Sequence, residues 1–90
     1  MSELIEANIE EPVCAAAEAA GWVVRKVKWI GRVAAPDRLM ARDGEILLVE
    51  FKRPGETPRA TQVREHKRFA DVGVKIHVID SLEAGLELIK

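Results

Sequence analysis

Apolar residues recur at helical spacing over residues 3–20, where Leu4, Ile5, Ile9, Val13, Ala16 or Ala17 and Ala20 fall on one stripe. Ser2 is a candidate N-cap with acids following it, and Gly21 is a candidate C′ stop. Pro12 either kinks this helix or stands in the first turn of one starting near Glu10 or Glu11. The second placement is preferred, because a proline N–H is not needed there. From Trp22 to Ile30 the pattern changes to alternation, with Val23, Arg25, Val27 and Trp29 on one strand face. Residues Gly31 to Pro36 read as a loop. A second strand, Asp37 to Arg42, and a third, Glu45 to Lys52, flank Asp43-Gly44, a strong hairpin turn. Arg53 to Pro58 is a Pro/Gly loop. Arg59 to Val72 is a helix with Ala60, Val63, Phe69 and Ala70 turned inward, stopped by Gly73. Val74 to Ile79 is a fourth strand, and Asp80 with Glu83 makes a capping-box-like start for a short helix to Ile89. The order α-β-β-β-α-β-α describes an α/β domain with one mixed central sheet flanked by helices.

The third strand, Ile46-Leu47-Leu48-Val49-Glu50-Phe51-Lys52, is apolar until two charges close it. Alternation puts Glu50 and Lys52 on one face, roughly 7 Å apart, and Phe51 on the other. Charges at the end of a buried strand are costly unless paired or used. Counting outward from the turn, Arg42 faces Glu45 and Asp37 therefore faces Glu50. Two hard carboxylates in register suit Mg²⁺ or Mn²⁺, and an adjacent ammonium can hold a water or offset an anionic transition state. A Glu-x-Lys triplet alone arises by chance in roughly one chain in three of this length. Pro36-Asp37 and the hairpin register make it far more specific.

Ninety residues suffice for one domain with a modest core. The overall charge of −1 hides an asymmetry. Residues 1–20 carry five Glu and no Lys or Arg, whereas residues 25–68 hold twelve of the fourteen basic side chains against six acids, a net +6. That stretch suits a polyanionic partner such as nucleic acid. No apolar run approaches a membrane span, and the acidic N-terminus lacks the pattern of a secretory signal, so a cytoplasmic place is expected. The lone Cys14 sits among alanines as a buried filler, and no Cys or His spacing suggests zinc. His66, one turn after Gln62, reads as a solvated or half-buried histidine, and His77 on the fourth strand carries no functional assignment. Trp22 and Trp29 read as core or dimer-interface residues.

The full set of motifs resembles the virus-type replication-repair nuclease (VRR-NUC) family of the PD-(D/E)XK nuclease superfamily. The matching stretches are Ile9-Glu10, Gly21, Pro36-Asp37-Arg38, Val49 to Gly55, and Gln62 within Thr61 to His66. The family usually has a glycine two residues before the Pro-Asp pair, where this chain has Ala34. The resemblance implies a single nuclease domain over 1–90 with a restriction-endonuclease-like α-β-β-β-α-β core. It implies a metal-dependent, structure-specific DNA endonuclease of phage or bacterial type, acting on Holliday junctions or flaps in DNA repair, as a homodimer. By this likeness Asp37, Glu50 and the Phe51 carbonyl would bind Mg²⁺, with Mn²⁺ substituting. Glu10, or its neighbour Glu11, would be the first-helix acid that reaches the metal. Lys52 would orient the attacking water, and Gln62 would fix water or phosphate. Arg38, Arg53, Arg59 and Arg64 would contact DNA. No nucleotide cofactor and no membrane are implied. The competing reading is a non-catalytic nucleic-acid-binding module on the same fold.

Overall fold

The turn at Asp43-Gly44 sets the register of the sheet. In the computed structural model, which describes residues 7–90, both turn residues lie at positive φ, 52° and 81°. That backbone matches the twist of a two-residue hairpin, and Asp-Gly tolerates it. It joins β2 (Arg38–Arg42) to β3 (Glu45–Phe51), with Arg42 opposite Glu45 and Arg38 opposite Val49, the register expected from counting. β1 (Val23–Lys26) pairs antiparallel with β2, and β4 (Ile76–Ile79) pairs parallel with β3. The sheet is therefore mixed, in the order β1-β2-β3-β4. The helices are α1 (Ala7–Ala19), α2 (Ala60–Asp71) and α3 (Leu82–Leu88).

One sheet face carries the core. Met40, Leu47, Val49, Phe51 and Ile79 meet Ile9, Val13, Cys14 and Ala17 of α1, with Trp22, Val24 and Ile89 completing the cluster. The α1–α3 approach is close: an added Cβ on Gly85 would lie 2.5 Å from Val13 Cγ2. Arg42 ties this layer together, donating to the carbonyls of Ala20 and Lys90 and lying over the Trp22 ring, 4.4 Å from its centroid. α1 ends as expected at Gly21, in a Schellman pair of bonds from Gly21 N–H to Glu18 and Trp22 N–H to Ala17.

Several expectations are corrected. Pro12 lies inside α1, which already includes Ala7, so the helix does not start at Glu10 or Glu11. Pro12 is exposed, and packing of Ile9, Val13 and Ala17 holds a turn that proline alone disfavours. The expected cap Ser2 lies outside the described residues. β1 stops at Lys26 rather than Ile30, because after Val27 N–H bonds Asp37 O the chain turns away through Gly31 and Ala34, both at positive φ. Val24 is buried, as is Trp22 just before the strand, while Val23 and Arg25 face outward. β4 begins at Ile76, since Val74 N–H is used to close α2 at Phe69 O. The α3 cap is Ser81, whose hydroxyl accepts from Ala84 N–H; Asp80 does not cap it.

The largest correction concerns α2. Its buried residues are Gln62 and Glu65, with His66 and Phe69 half-buried, whereas Val63 is 53% exposed and Ala60 and Ala70 are exposed. The inward stripe runs i, i+3, i+4, i+7 and is mostly polar. It lies over the sheet face opposite the core, because Glu50 alternates with the core residues Val49 and Phe51.

Candidate active site

Glu50 and Lys52 end the apolar run of β3 on the α2 side and are only 2% and 4% exposed. Burial on this scale demands partners. Glu50 Oε2 accepts from Gln62 Nε2 at 2.6 Å and lies 3.6 Å from Lys52 Nζ. His66 Nε2 approaches Glu50 Oε1 at 3.9 Å, too far for a hydrogen bond. The other end of the Gln62 amide accepts from Arg59 N–H at 2.8 Å, which satisfies an orphan donor at the start of α2. This is one arm of a capping box; arginine has no acceptor with which to return the second. With both ends bonded, the amide has a defined orientation that presents N–H to the carboxylate.

Asp37 reaches the same place from the loop before β2. Its N–H donates to Val49 O at 2.9 Å, and its carboxylate accepts from Phe51 N–H at 2.7 Å. Val49 and Phe51 flank Glu50, so Asp37 is bonded to the residues on either side of the second acid, at one end of the hairpin. The pairing steps out of register there, since Val49 already opposes Arg38. The neighbouring bond from Lys52 N–H goes to Ile79 O on β4, and Phe51 presents its backbone polar groups to the Asp37 side. Burial pushes the Asp37 carboxyl above its ordinary value; the Phe51 N–H opposes this, Glu10 reinforces it, and Lys52 and Arg38 oppose it. His66 is pushed below its ordinary value by burial and by Lys52.

Glu10 is the first-helix acid on this side, and Glu11 is exposed. Its Oε2 accepts from Arg38 Nε at 2.7 Å in a half-buried ion pair. Burial lowers the Arg38 pKa, but the Glu10 bond and nearby negative charge outweigh it and raise the value overall. Arg38 therefore spends its guanidinium inside the protein, unlike Arg53, Arg59 and Arg64, which are exposed. Cys14 is buried, with its thiol pKa pushed up by desolvation, as fits a filler.

Sequence reasoning missed a second polar connection on α2. Glu65 is buried, accepting from Trp29 Nε1 at 2.7 Å and from Arg68 Nη1 at 3.3 Å. Trp29 also stacks on Phe69, with centroids 5.9 Å apart and planes 4° from parallel. The loop after β1 is thereby fastened to α2. The signal was the polar stripe of Gln62, Glu65 and His66, which a search for apolar periodicity passes over.

Among the described residues, no group of three or more His, Cys, Asp or Glu side chains could by itself hold a metal ion. Mg²⁺ does not need one, since it keeps several waters and takes one or two carboxylates with substrate phosphate. Asp37, Glu50 and a main-chain oxygen are a donor set of that kind. The arrangement is suited to hydrolysis of a phosphate ester, with the buried Lys52 ammonium 3.6 Å from the Glu50 carboxylate and the Asp37 carboxylate bonded to the N–H of the residue between them.

Comparison with known proteins agrees with this chemistry. No family model matches the chain. A curated protein of Acyrthosiphon pisum secondary endosymbiont phage 1, named "Putative nuclease p44", is 39% identical over 77 residues, which cover 84% of this chain and 83% of the relative. A solved structure described as a VRR_NUC domain superposes with a TM-score of 0.85 at 35% identity, covering 93% of this chain and 92% of the other.

Proposed function

Because the chain belongs to the virus-type replication-repair nuclease (VRR-NUC) family, we propose that it is a divalent-metal-dependent DNA endonuclease acting on branched DNA. The observation that carries this reading is the meeting of Asp37 with the Glu50-Phe51-Lys52 strand end. The Asp37 backbone and carboxylate bond the residues on either side of Glu50.

Asp37, Glu50 and the Phe51 carbonyl would hold Mg²⁺, or Mn²⁺ in its place, and Glu10 would act through its pair with Arg38 or through a bridging water. The ion, when bound, supplies Lewis-acid stabilisation of the scissile phosphate and a more acidic water. The protein's own groups do the rest. Gln62 fixes the rotamer of Glu50, and Glu50 in turn holds the Lys52 ammonium. Lys52 orients the attacking water and offsets charge that develops on the phosphoryl oxygens. Asp37 is matched to a cation by its environment, since its burial penalises an uncompensated charge. Arg53 and Arg59 flank the loop after β3, where a DNA strand entering the site would pass.

A homodimer is part of the proposal. On the α2 side of the sheet, Val23 and Ile46 are largely exposed, and a C2 pair would offer two active sites to a junction of matching symmetry. Among the described residues no helix is long and apolar enough to cross a membrane. The proposed place of action is the bacterial cytoplasm, where DNA is found.

The test is a panel of labelled duplex, flap and four-way junction DNA, incubated with Mg²⁺, Mn²⁺ or EDTA. Cleavage is expected only with metal and to be greatest on branched substrates. It should be lost in Asp37→Asn and Glu50→Gln. Cleavage that persists in EDTA or in either variant overturns the mechanism. Salt-sensitive binding without turnover in any metal would instead identify a non-catalytic binding module.

A further inference from the structure

The tertiary structure sorts the basic side chains by what they already hold. Arg38 is paired with Glu10, Arg42 with two carbonyls, and Lys67 with Asp71. Arg32 and Arg64 have no hydrogen-bonded or ionic side-chain partner among the described residues. Both line a cleft of about 380 Å³ between the loop after β1 and α2, together with Thr61, Val33, Glu65 and Arg68. A second hollow of about 320 Å³ adjoins it, sharing Arg32, Glu65 and Arg68 and adding Phe69 and Val72.

We propose that this cleft is a second contact site for the substrate strand, in which Arg32 and Arg64 hold backbone phosphates beside the scissile one. The inference rests on the nuclease reading and adds where the strand is gripped. Three arguments support it. Arg32, from the loop after β1, and Arg64, from α2, bring two cations to one cleft, an accumulation of like charge that an anion would relieve. The one acid in the cleft, Glu65, is already bonded by Trp29 and Arg68, so the free charge there is positive. The cleft wall is also rigid relative to the catalytic groups. The Trp29–Glu65 bond and the Trp29–Phe69 stack lock the loop to the helix that carries Gln62. A strand seated against Arg64 and Thr61 would thus lie one helical residue from the amide that orients Glu50. Guanidinium groups suit this role because they bond phosphate with paired donors.

The test is binding of a fluorescein-labelled flap DNA by anisotropy, with Ca²⁺ replacing Mg²⁺, over a series of salt concentrations. The comparison is wild type, Arg32→Ala/Arg64→Ala, and a control, Lys75→Ala/Lys90→Ala, which removes the same charge outside the cleft. Thermal unfolding checks that all three fold. Each phosphate contact contributes about 0.7–0.9 to the slope of log K against log salt, so loss of two should reduce the cleft variant's slope by about 1.5. The control should lose far less. An unchanged slope in the cleft variant, or an equal loss in the control, overturns the proposal. The two readings fail separately. If wild type cleaves DNA but the cleft variant keeps its slope, only the cleft assignment falls. If the slope drops but wild type cleaves nothing in any metal, the cleft assignment stands and the catalytic reading falls.

Discussion

Gln62→Leu tests whether the buried amide organises both the strand end and the start of α2. The substitution keeps the volume close and removes two bonds. One is the 2.6 Å donor to the buried Glu50 carboxylate; a hydrogen bond to a charged group is worth about 1.5–3 kcal/mol. The other is the 2.8 Å acceptor for Arg59 N–H at the helix start, worth about 0.5–1 kcal/mol by analogy with capping interactions. Together they amount to about 3 kcal/mol, or about 12–24 °C in Tm for a domain of this size. The measurement is urea unfolding of the metal-free protein at neutral pH, followed by tryptophan fluorescence. Gln62→Glu makes the argument sharper. It preserves the acceptor but replaces the donor with a second carboxylate facing Glu50. The metal-free protein should lose comparable stability, and Mg²⁺ should restore more of it than in wild type. A loss below about 1 kcal/mol for Gln62→Leu at unchanged m, or a metal-free Gln62→Glu as stable as wild type, refutes the reasoning.

Three further outcomes follow from the packing and titration of other residues. Gly85→Ala gains about 1 kcal/mol in helix propensity but drives a Cβ to 2.5 Å from Val13, a stiff buried side chain. A net loss of about 1–2 kcal/mol is expected, with partial recovery on adding Val13→Ala; thermal unfolding that shows a stabilised single variant contradicts this. Ala34→Gly should raise stability by about 0.5 kcal/mol, because relief of the left-handed backbone at φ 69° exceeds the added entropy of the unfolded chain. A lower Tm would speak against it. His77 is held below its ordinary value of 6.5 by burial, with Lys75 adding to the effect and Glu45 opposing it. The unfolded chain then binds more protons, so this contribution is full above pH 6.5 and is lost as pH falls through the lower folded value. His77→Gln should flatten the acid side of a stability–pH curve measured by urea unfolding, and an identical curve would exclude His77 as a cause.

The fold was legible from the sequence where local chemistry and period agreed. Asp43-Gly44 demanded a two-residue hairpin, and counting from it gave the observed register as far as Arg38 opposite Val49, beyond which Asp37 steps out of register to bond the neighbours of Glu50. Gly21 and Gly73 ended their helices because each must take a positive φ. The Ala34 position reads the same way, since the glycine usual in the family has an explanation in the left-handed backbone observed there. Pro12 and β1 were less legible, because their outcome depends on contacts made elsewhere. α1 tolerates its proline through burial of Ile9, Val13 and Ala17 against the sheet, and β1 ends early because Trp29 is drawn to Glu65.

The sequence by itself determined that a strand ends in Glu50 and Lys52, and that a turn returns Asp37 beside them. Those relations are short-range, set by the period of a strand and the geometry of one turn. Only the tertiary structure decided what these groups bond to. It turned the polar rather than the apolar stripe of α2 inward, because the buried carboxylate of Glu50 required a donor that Gln62 could give and valine could not. It also spent Arg38 on Glu10 while leaving Arg32 and Arg64 in a cleft without a side-chain partner among the described residues. Partner choice among like charges depends on distances between segments far apart in the chain, and no local pattern encodes them.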